Sequence, residues 1–218
     1  MAYDGEGGVD TLVNIEGLRG SRFNDVLTGG NVANDAFEFF IGMGGNDTID
    51  GGSGYDRADY NTAADAVSAN LQEGIAYDGL GGLDTLVNVE GLRGGGFNDH
   101  LTGSTVANRL EGGLGDDTLL GGAGDDTLVG DKGNDSMVGD VGRDIFGWGP
   151  SSAGDTDWVE DPEVGDSLYF TGLSFEELLD VSPSELQVGQ ATLAPRSTAS
   201  RRSTCAMPRA IPASSPSS

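Results

Sequence analysis

Between residues 112 and 147 one apolar side chain returns every ninth position: Leu119, Leu128, Met137 and Phe146. Each is embedded in a unit that is otherwise glycine and polar residues. The four units run without a gap: GGLGDDTLL, GGAGDDTLV, GDKGNDSMV and GDVGRDIFG. Every unit has Gly at position 1, Gly at position 4, Asp at position 6 and the apolar residue at position 8. Glycine permits left-handed backbone and close approach, so the first half predicts a turn. The second half predicts a short strand whose middle side chain points inward. One such unit cannot bury its apolar residue alone, so the period predicts stacking into an all-β solenoid.

A shorter block lies upstream, GMGGNDTID (42–50) and GGSGYDRAD (51–59). Three of the six units have the full Gly-Gly-x-Gly-x-Asp form. The others place Met43, Asp131 or Asp140 where the second glycine would be. The candidate ligands are the position-6 aspartates Asp47, Asp56, Asp117, Asp126, Asp135 and Asp144. FNDVLTG (23–29) and FNDHLTG (97–103) put Asp25 and Asp99 in the same phase, with Phe23 and Phe97 in place of the position-4 glycine. Those two are weaker candidates, as is Asn108, because their turns lack the full glycine set.

The turns also present main-chain carbonyls unshielded by side chains, at Gly45, Gly52, Gly54, Gly113, Gly115, Gly122, Gly124, Gly133 and Gly142. Carboxylates and carbonyls are the oxygen donors of a hard cation with six to eight ligands at about 2.3–2.6 Å, which is calcium. Zinc requires Cys or His, and the chain has one of each. Magnesium dehydrates reluctantly and seldom occupies an all-protein cage. Several calcium ions are therefore the expected cofactors.

The six units resemble the repeats-in-toxin (RTX, haemolysin-type) calcium-binding nonapeptide. The resemblance implies a right-handed parallel β-roll, with successive strands on opposite sheets and calcium between turns two units apart. Asp117 would then share an ion with Asp135, and Asp126 with Asp144. It also implies export from a bacterium to the extracellular medium or cell surface, through an uncleaved C-terminal signal. That fits the lack of an N-terminal secretory signal.

Charge and composition agree. The formal net charge is −25, and 38 of 218 residues are Gly. So acidic a chain repels itself when compact unless counter-ions bind, and it disfavours nucleic acid and anionic membrane surfaces. No apolar run is long enough for a transmembrane segment. Cys205 is the only cysteine, so no disulfide framework exists.

The chain divides into five segments. Residues 1–59 hold the first block behind a half-spacer, and 60–102 are spacer strands expected to continue the roll. Residues 103–147 are the second block, 148–187 a cap, and 188–218 a disordered basic tail. Residues 3–34 and 77–108 are near-copies 74 positions apart, so the chain is expected to be the C-terminal end of a longer array, or a fragment of one, and upstream domains of a longer parent chain are among the candidate partners. A bulge is expected within 34–41, where four surplus residues enter the period. In 60–76, alternation at Val67, Ala69 and Leu71 predicts a strand, a turn at Gly74 and another strand. His100 is expected on an exposed strand face. Trp148, Trp158, Tyr169 and Phe170 are expected to cover the end of the roll, and residues 173–180 to form a short capped helix. The tail from 191 holds four Arg and no acid, which predicts disorder and raises the expectation of a shifted reading frame.

No catalysis is expected. One His excludes a His-Glu-x-x-His site, and no Gly-x-Ser-x-Gly occurs. The Asp pairs 116/117 and 125/126 sit side by side on turns, whereas glycosidase carboxylates face each other across a cleft. The remaining alternatives are the calcium-binding end of a larger secreted enzyme or toxin, or an adhesin fragment. An ice-binding threonine face is disfavoured, because Thr118 and Thr127 are followed two units on by Ser136 and Ile145.

Overall fold

The computed structural model describes residues 2–3, 9–10, 15–30, 37–149, 155–170 and 186–188. In chain order the strands are β1 (Ala2–Tyr3), β2 (Val9–Asp10), β3 (Gly17–Arg19), β4 (Val26–Thr28), β5 (Phe37–Ile41), β6 (Thr48–Asp50) and β7 (Tyr55–Asp59). The spacer adds β8 (Ser68–Asn70), β9 (Ile75–Tyr77), β10 (Leu83–Val87) and β11 (Gly91–Arg93). The second block and its continuation give β12 (His100–Ser104), β13 (Arg109–Leu114), β14 (Thr118–Ala123), β15 (Thr127–Lys132), β16 (Ser136–Val141), β17 (Ile145–Trp148), β18 (Asp157–Val159), β19 (Ser167–Phe170) and β20 (Leu186–Val188). No helix occurs among the described residues.

In the second block each nine-residue unit gives six residues to a strand and the rest to a turn, and consecutive strands fall on opposite sheets. One sheet has eight strands in the order β19-β17-β15-β13-β11-β7-β5-β3, all parallel. The other has ten, β20-β18-β16-β14-β12-β8-β9-β10-β6-β4. This is the parallel β-roll that the resemblance to the RTX nonapeptide implied. Position 8 of every unit pairs with position 8 two units away. Leu101, Leu119, Met137 and Val159 are in register along one sheet, and Leu92, Leu110, Leu128, Phe146 and Leu168 along the other. Apart from Leu168, which is partly buried, all of these are buried. The core is thus two facing rows of single side chains.

The spacer departs from the expected path. β8 and the turn at Gly74 form as read, but β9 runs antiparallel to both β8 and β10. β8 and β10 still pair in parallel with β12 and β6, and the antiparallel β9 inserts between them in the ten-stranded sheet. The near-copy at the N-terminus has the same pairing: Ala2↔Asp10 and Tyr3↔Val9 match Ala76↔Asp84 and Tyr77↔Leu83, shifted by the 74-residue repeat.

The segment after 148 also differs from a cap. β18 and β19 pair in parallel with β16 and β17, so they continue the roll. Trp158 and Tyr169 are exposed because they occupy outward positions 7 and 9, and they do not cover its end. Trp148 alone of the two tryptophans is buried. β20 pairs with β18, which carries the sheet to Val188. The expected bulge at 34–41 falls partly, the helix at 173–180 wholly, and the tail at 188–218 all but Val188, which ends β20, outside the described residues.

Candidate functional site

The turns line the two long edges of the roll, and position 6 forms a row along each. One row contains Asp25, Asp47 and Asp84, then, beyond the hairpin, Asp99, Asp117, Asp135 and Asp157. The other contains Asp56, Glu90, Asn108, Asp126, Asp144 and Asp166. Within the rows, the backbone N–H groups of Asp25, Asp47, Asp56, Asp99, Asn108, Asp117, Asp126, Asp135 and Asp144 each donate to one carboxylate oxygen of the next turn. Asp99 N–H reaches Asp117 Oδ1 at 2.7 Å and Asp117 N–H reaches Asp135 Oδ1 at 2.9 Å. Asn108 N–H reaches Asp126 Oδ1 at 2.7 Å and Asp126 N–H reaches Asp144 Oδ1 at 2.9 Å. The same residue's carbonyl accepts from the next turn, as in Thr118 N–H to Asp99 O and Ser136 N–H to Asp117 O, both 2.9 Å. Each of these turns is therefore strapped to its neighbour by a main-chain bond and a carboxylate bond.

What happens to the second carboxylate oxygen sorts the turns into two kinds. At Asp25, Asp99 and Asn108 the position-2 N–H closes back on the position-6 side chain. Ser21 N–H donates to Asp25 Oδ2 at 2.5 Å, Gly95 N–H to Asp99 Oδ2 at 2.6 Å, and Ser104 N–H to Asn108 Oδ1 at 2.7 Å. In the other turns position 2 is left-handed: Met43 (φ 75), Gly52 (89), Gly113 (109), Gly122 (104), Asp131 (67) and Asp140 (64). That conformation turns the N–H away. The Oδ2 atoms of Asp47, Asp117, Asp126, Asp135 and Asp144, and both carboxylate oxygens of Asp56, are then buried with no hydrogen-bond partner.

Each orphan oxygen lies beneath the position-1 glycine of its own unit. A Cβ on Gly112 would strike Asp117 Oδ2 and stand 2.8 Å from Gly130 O; one on Gly121 would stand 2.5 Å from Asp126 Oδ2 and 2.9 Å from Gly139 O. Position 1 is glycine because the space beneath is filled by a carboxylate and a carbonyl. At position 4, a Cβ on Gly133 or Gly142 would strike the carbonyl of Gly115 or Gly124, the position-4 glycine two units before.

Burial without a counter-charge disfavours the ionised carboxylate. Desolvation pushes Asp117 up to about 8, with Asp135 and Asp99 adding repulsion. It pushes Asp135 and Asp56 up to about 7, and Asp126 and Asp47 up to about 6. A buried carboxyl with a free lone pair and raised proton affinity is a candidate cation site.

A family model described as the RTX calcium-binding nonapeptide repeat (4 copies) matches residues 33–59, 93–128 and 111–146. The chain carries RTX calcium-binding nonapeptide repeats. No curated protein matches it.

Calcium fits the RTX turns. All donors are hard oxygens, His100 is exposed on β12 as expected, and the orphan atoms need a positive partner. Among the described residues no three acidic, His or Cys side chains gather closely enough to hold a metal by themselves, so main-chain carbonyls must complete each set. The position-4 carbonyls of Gly115 and Gly124 lie between stacked turns. Gly113 and Gly122, at position 2, lie in β13 and β14, paired with Asp131 and Asp140. Gly52 is also a position-2 glycine, while Gly45, Gly54, Gly133 and Gly142 are position-4 glycines like Gly115.

Sequence reasoning missed four members of the RTX rows. Asp84 accepts from Asp47 N–H at 2.9 Å, Asp157 from Asp135 N–H at 2.9 Å, and Asp166 from Asp144 N–H at 3.0 Å. Glu90 Oε2 accepts from Asp56 N–H at 3.0 Å. Asp84 had a signal, since DTLV at 84–87 repeats DTLV at 126–129. At Asp157 the second carboxylate oxygen is partnered, because the Trp148 indole N–H donates to its Oδ2 at 2.5 Å.

Proposed function

We propose that this chain is a calcium-binding structural module that folds as calcium binds, works secreted from or on the surface of a bacterium, and performs no catalysis of its own. The observation that supports it is the set of buried, unpartnered carboxylate oxygens in the six left-handed turns. Asp47, Asp56, Asp117, Asp126, Asp135 and Asp144 would hold the ions, with position-4 carbonyls completing the sets. A bound ion would supply the positive charge and the oxygen coordination that those atoms lack.

The chain's own groups do the rest. The carboxylate-to-N–H straps align each turn with the next, and the glycines leave room for the approach. At low calcium the charge of −25 keeps the polypeptide open, which suits export. Outside the cell, ligand binding to the folded state pulls the equilibrium towards the roll by mass action. The extracellular setting is supported by the repeat type and by this charge. No helix among the described residues is long and apolar enough to cross a membrane.

Counting bound ions by native mass spectrometry at saturating calcium tests the reading. Asp126→Asn should lose calcium relative to the parent chain, whereas Asp25→Asn, whose turn is closed by Ser21, should keep the parental count. Equal counts in the two variants would contradict the division of turns.

A further inference from the structure

The outer face of the ten-stranded sheet carries a line of side chains that the calcium turns do not use. Strand register places Trp158, Ser136, Thr118, His100, Ser68 and Tyr77 side by side on β18, β16, β14, β12, β8 and β9. They face outward, because the residues next to them along each strand are buried: Leu101 follows His100, Leu119 follows Thr118 and Ala69 follows Ser68. Neighbouring strands lie about 4.7–4.9 Å apart, so the line runs roughly 24 Å along the stacking direction of the roll. An aromatic residue stands at each end, with Trp158 48% and Tyr77 57% exposed. Beside this line runs another through Val138, Leu120, Thr102 and Asn70. Neither line contains Asp, Glu, Lys or Arg.

The two faces of the roll differ in what their polar groups do. On the eight-stranded sheet, Arg57, Arg93 and Arg109 pair with Asp59 and Glu111, so the charges there satisfy one another. On the ten-stranded sheet, Ser136 Oγ donates to Glu160 Oε1 at 2.8 Å. Among the described residues no hydrogen bond engages the side chains of Ser68, His100 or Thr118. Hydroxyl and imidazole groups both donate and accept, so they can answer a ligand made of hydroxyls. Tyr and Trp add a flat apolar ring with a polar edge, the complement of the C–H face of a sugar ring. The long edges flanking this face hold the carboxylate rows of a chain with formal charge −25, and such flanks repel a polyanion.

We propose that this line binds a neutral, extended polysaccharide laid along the roll. Trp158 and Tyr77 stack on sugar rings near its two ends, and Ser136, Thr118, His100 and Ser68 hydrogen-bond the hydroxyls between them. A β-1,4-linked pyranose chain advances per sugar by nearly the spacing of neighbouring strands, so successive sugars meet successive side chains of the line. A protein partner would be matched by a contiguous apolar patch, whereas here two separate rings bracket polar groups. The surface needs the spacer as well as the repeats, because β8 and β9 supply Ser68 and Tyr77. It uses none of the aspartates assigned to calcium.

The test is retention of the full chain, in saturating calcium, on microcrystalline cellulose and on chitin, with polygalacturonate as the polyanion. The parent should be held by at least one neutral polymer and should pass the polyanion. Trp158→Ala and Tyr77→Ala remove exposed rings, and each should weaken retention about 10-fold, the loss of one stacking contact. Thr118 and Thr127 form a matched pair at position 7 of adjacent units, on opposite sheets. Thr118→Val should weaken retention and Thr127→Val should leave it at the parental level. If an aromatic variant fails to regain the parental circular dichroism, the threonine pair decides. Passage of the parent through both neutral polymers, tighter retention on the polyanion, or equal retention of the two threonine variants overturns the proposal. So does self-association in sedimentation velocity that Trp158→Ala abolishes while cellulose and chitin retain nothing, which would make the face a contact between copies of the chain.

Discussion

At the scale of single residues, protons and calcium compete for the same oxygens. Asp117, Asp135 and Asp126 have folded-state values of about 8, 7 and 6, raised by burial from 3.8. A raised carboxyl contributes stability that is complete below its unfolded pKa and lost as pH rises through the folded one. With a chelator present, the fold should therefore gain stability on acidification from pH 8 towards 4. Calcium binding has the opposite dependence, because the protons must leave first. Calorimetric titrations should show affinity falling from pH 8 to pH 6, with protons released on binding. Affinity independent of pH across that window would mean that the buried carboxylates are not the ligands. Sequence placed Asp25 and Asp99 beside the other candidates by phase, and the missing glycines marked them as weaker. What it could not supply was the reason, which is a position-2 N–H folded back onto the carboxylate. That depends on backbone φ at Ser21 and Gly95, and Gly95 shows that residue type alone does not fix it.

At the scale of the element, one turn and one strand form a stacking module whose glycines are spatial requirements. Gly112 and Gly96 make the contrast. A Cβ at Gly112 meets Asp117 Oδ2 and Gly130 O, while one at Gly96 meets nothing within 4 Å. Gly112→Ala should weaken calcium binding about 10- to 100-fold, the cost of disturbing groups that position a metal ligand. Gly96→Ala should leave it unchanged, and competition against a chromophoric chelator would compare the two. The inward position 8 was legible in the period itself, and the alternation of sheets came from the resemblance to the RTX nonapeptide. The hairpin at 68–87 was not. The strand–turn–strand pattern around Gly74 was readable, but strand direction is set by pairing with β8 and β10, which local sequence does not encode. The aromatic residues after 147 misled for a similar reason. Trp158 and Tyr169 occupy outward register positions of β18 and β19, and residue type suggested a cap that register denies.

At the scale of the whole molecule, the roll has a core one side chain deep on each sheet and carries a charge of −25. Its two edges hold rows of buried carboxylates that repel their neighbours along the row. Such a chain should depend on cations for folding. The most direct measurement is far-UV circular dichroism of the full chain as calcium is titrated against EGTA, with magnesium as control. The account predicts a coil-like spectrum that becomes β-rich with calcium and stays unchanged with magnesium. A chain already β-rich and cooperatively folded in EGTA at neutral pH would contradict it.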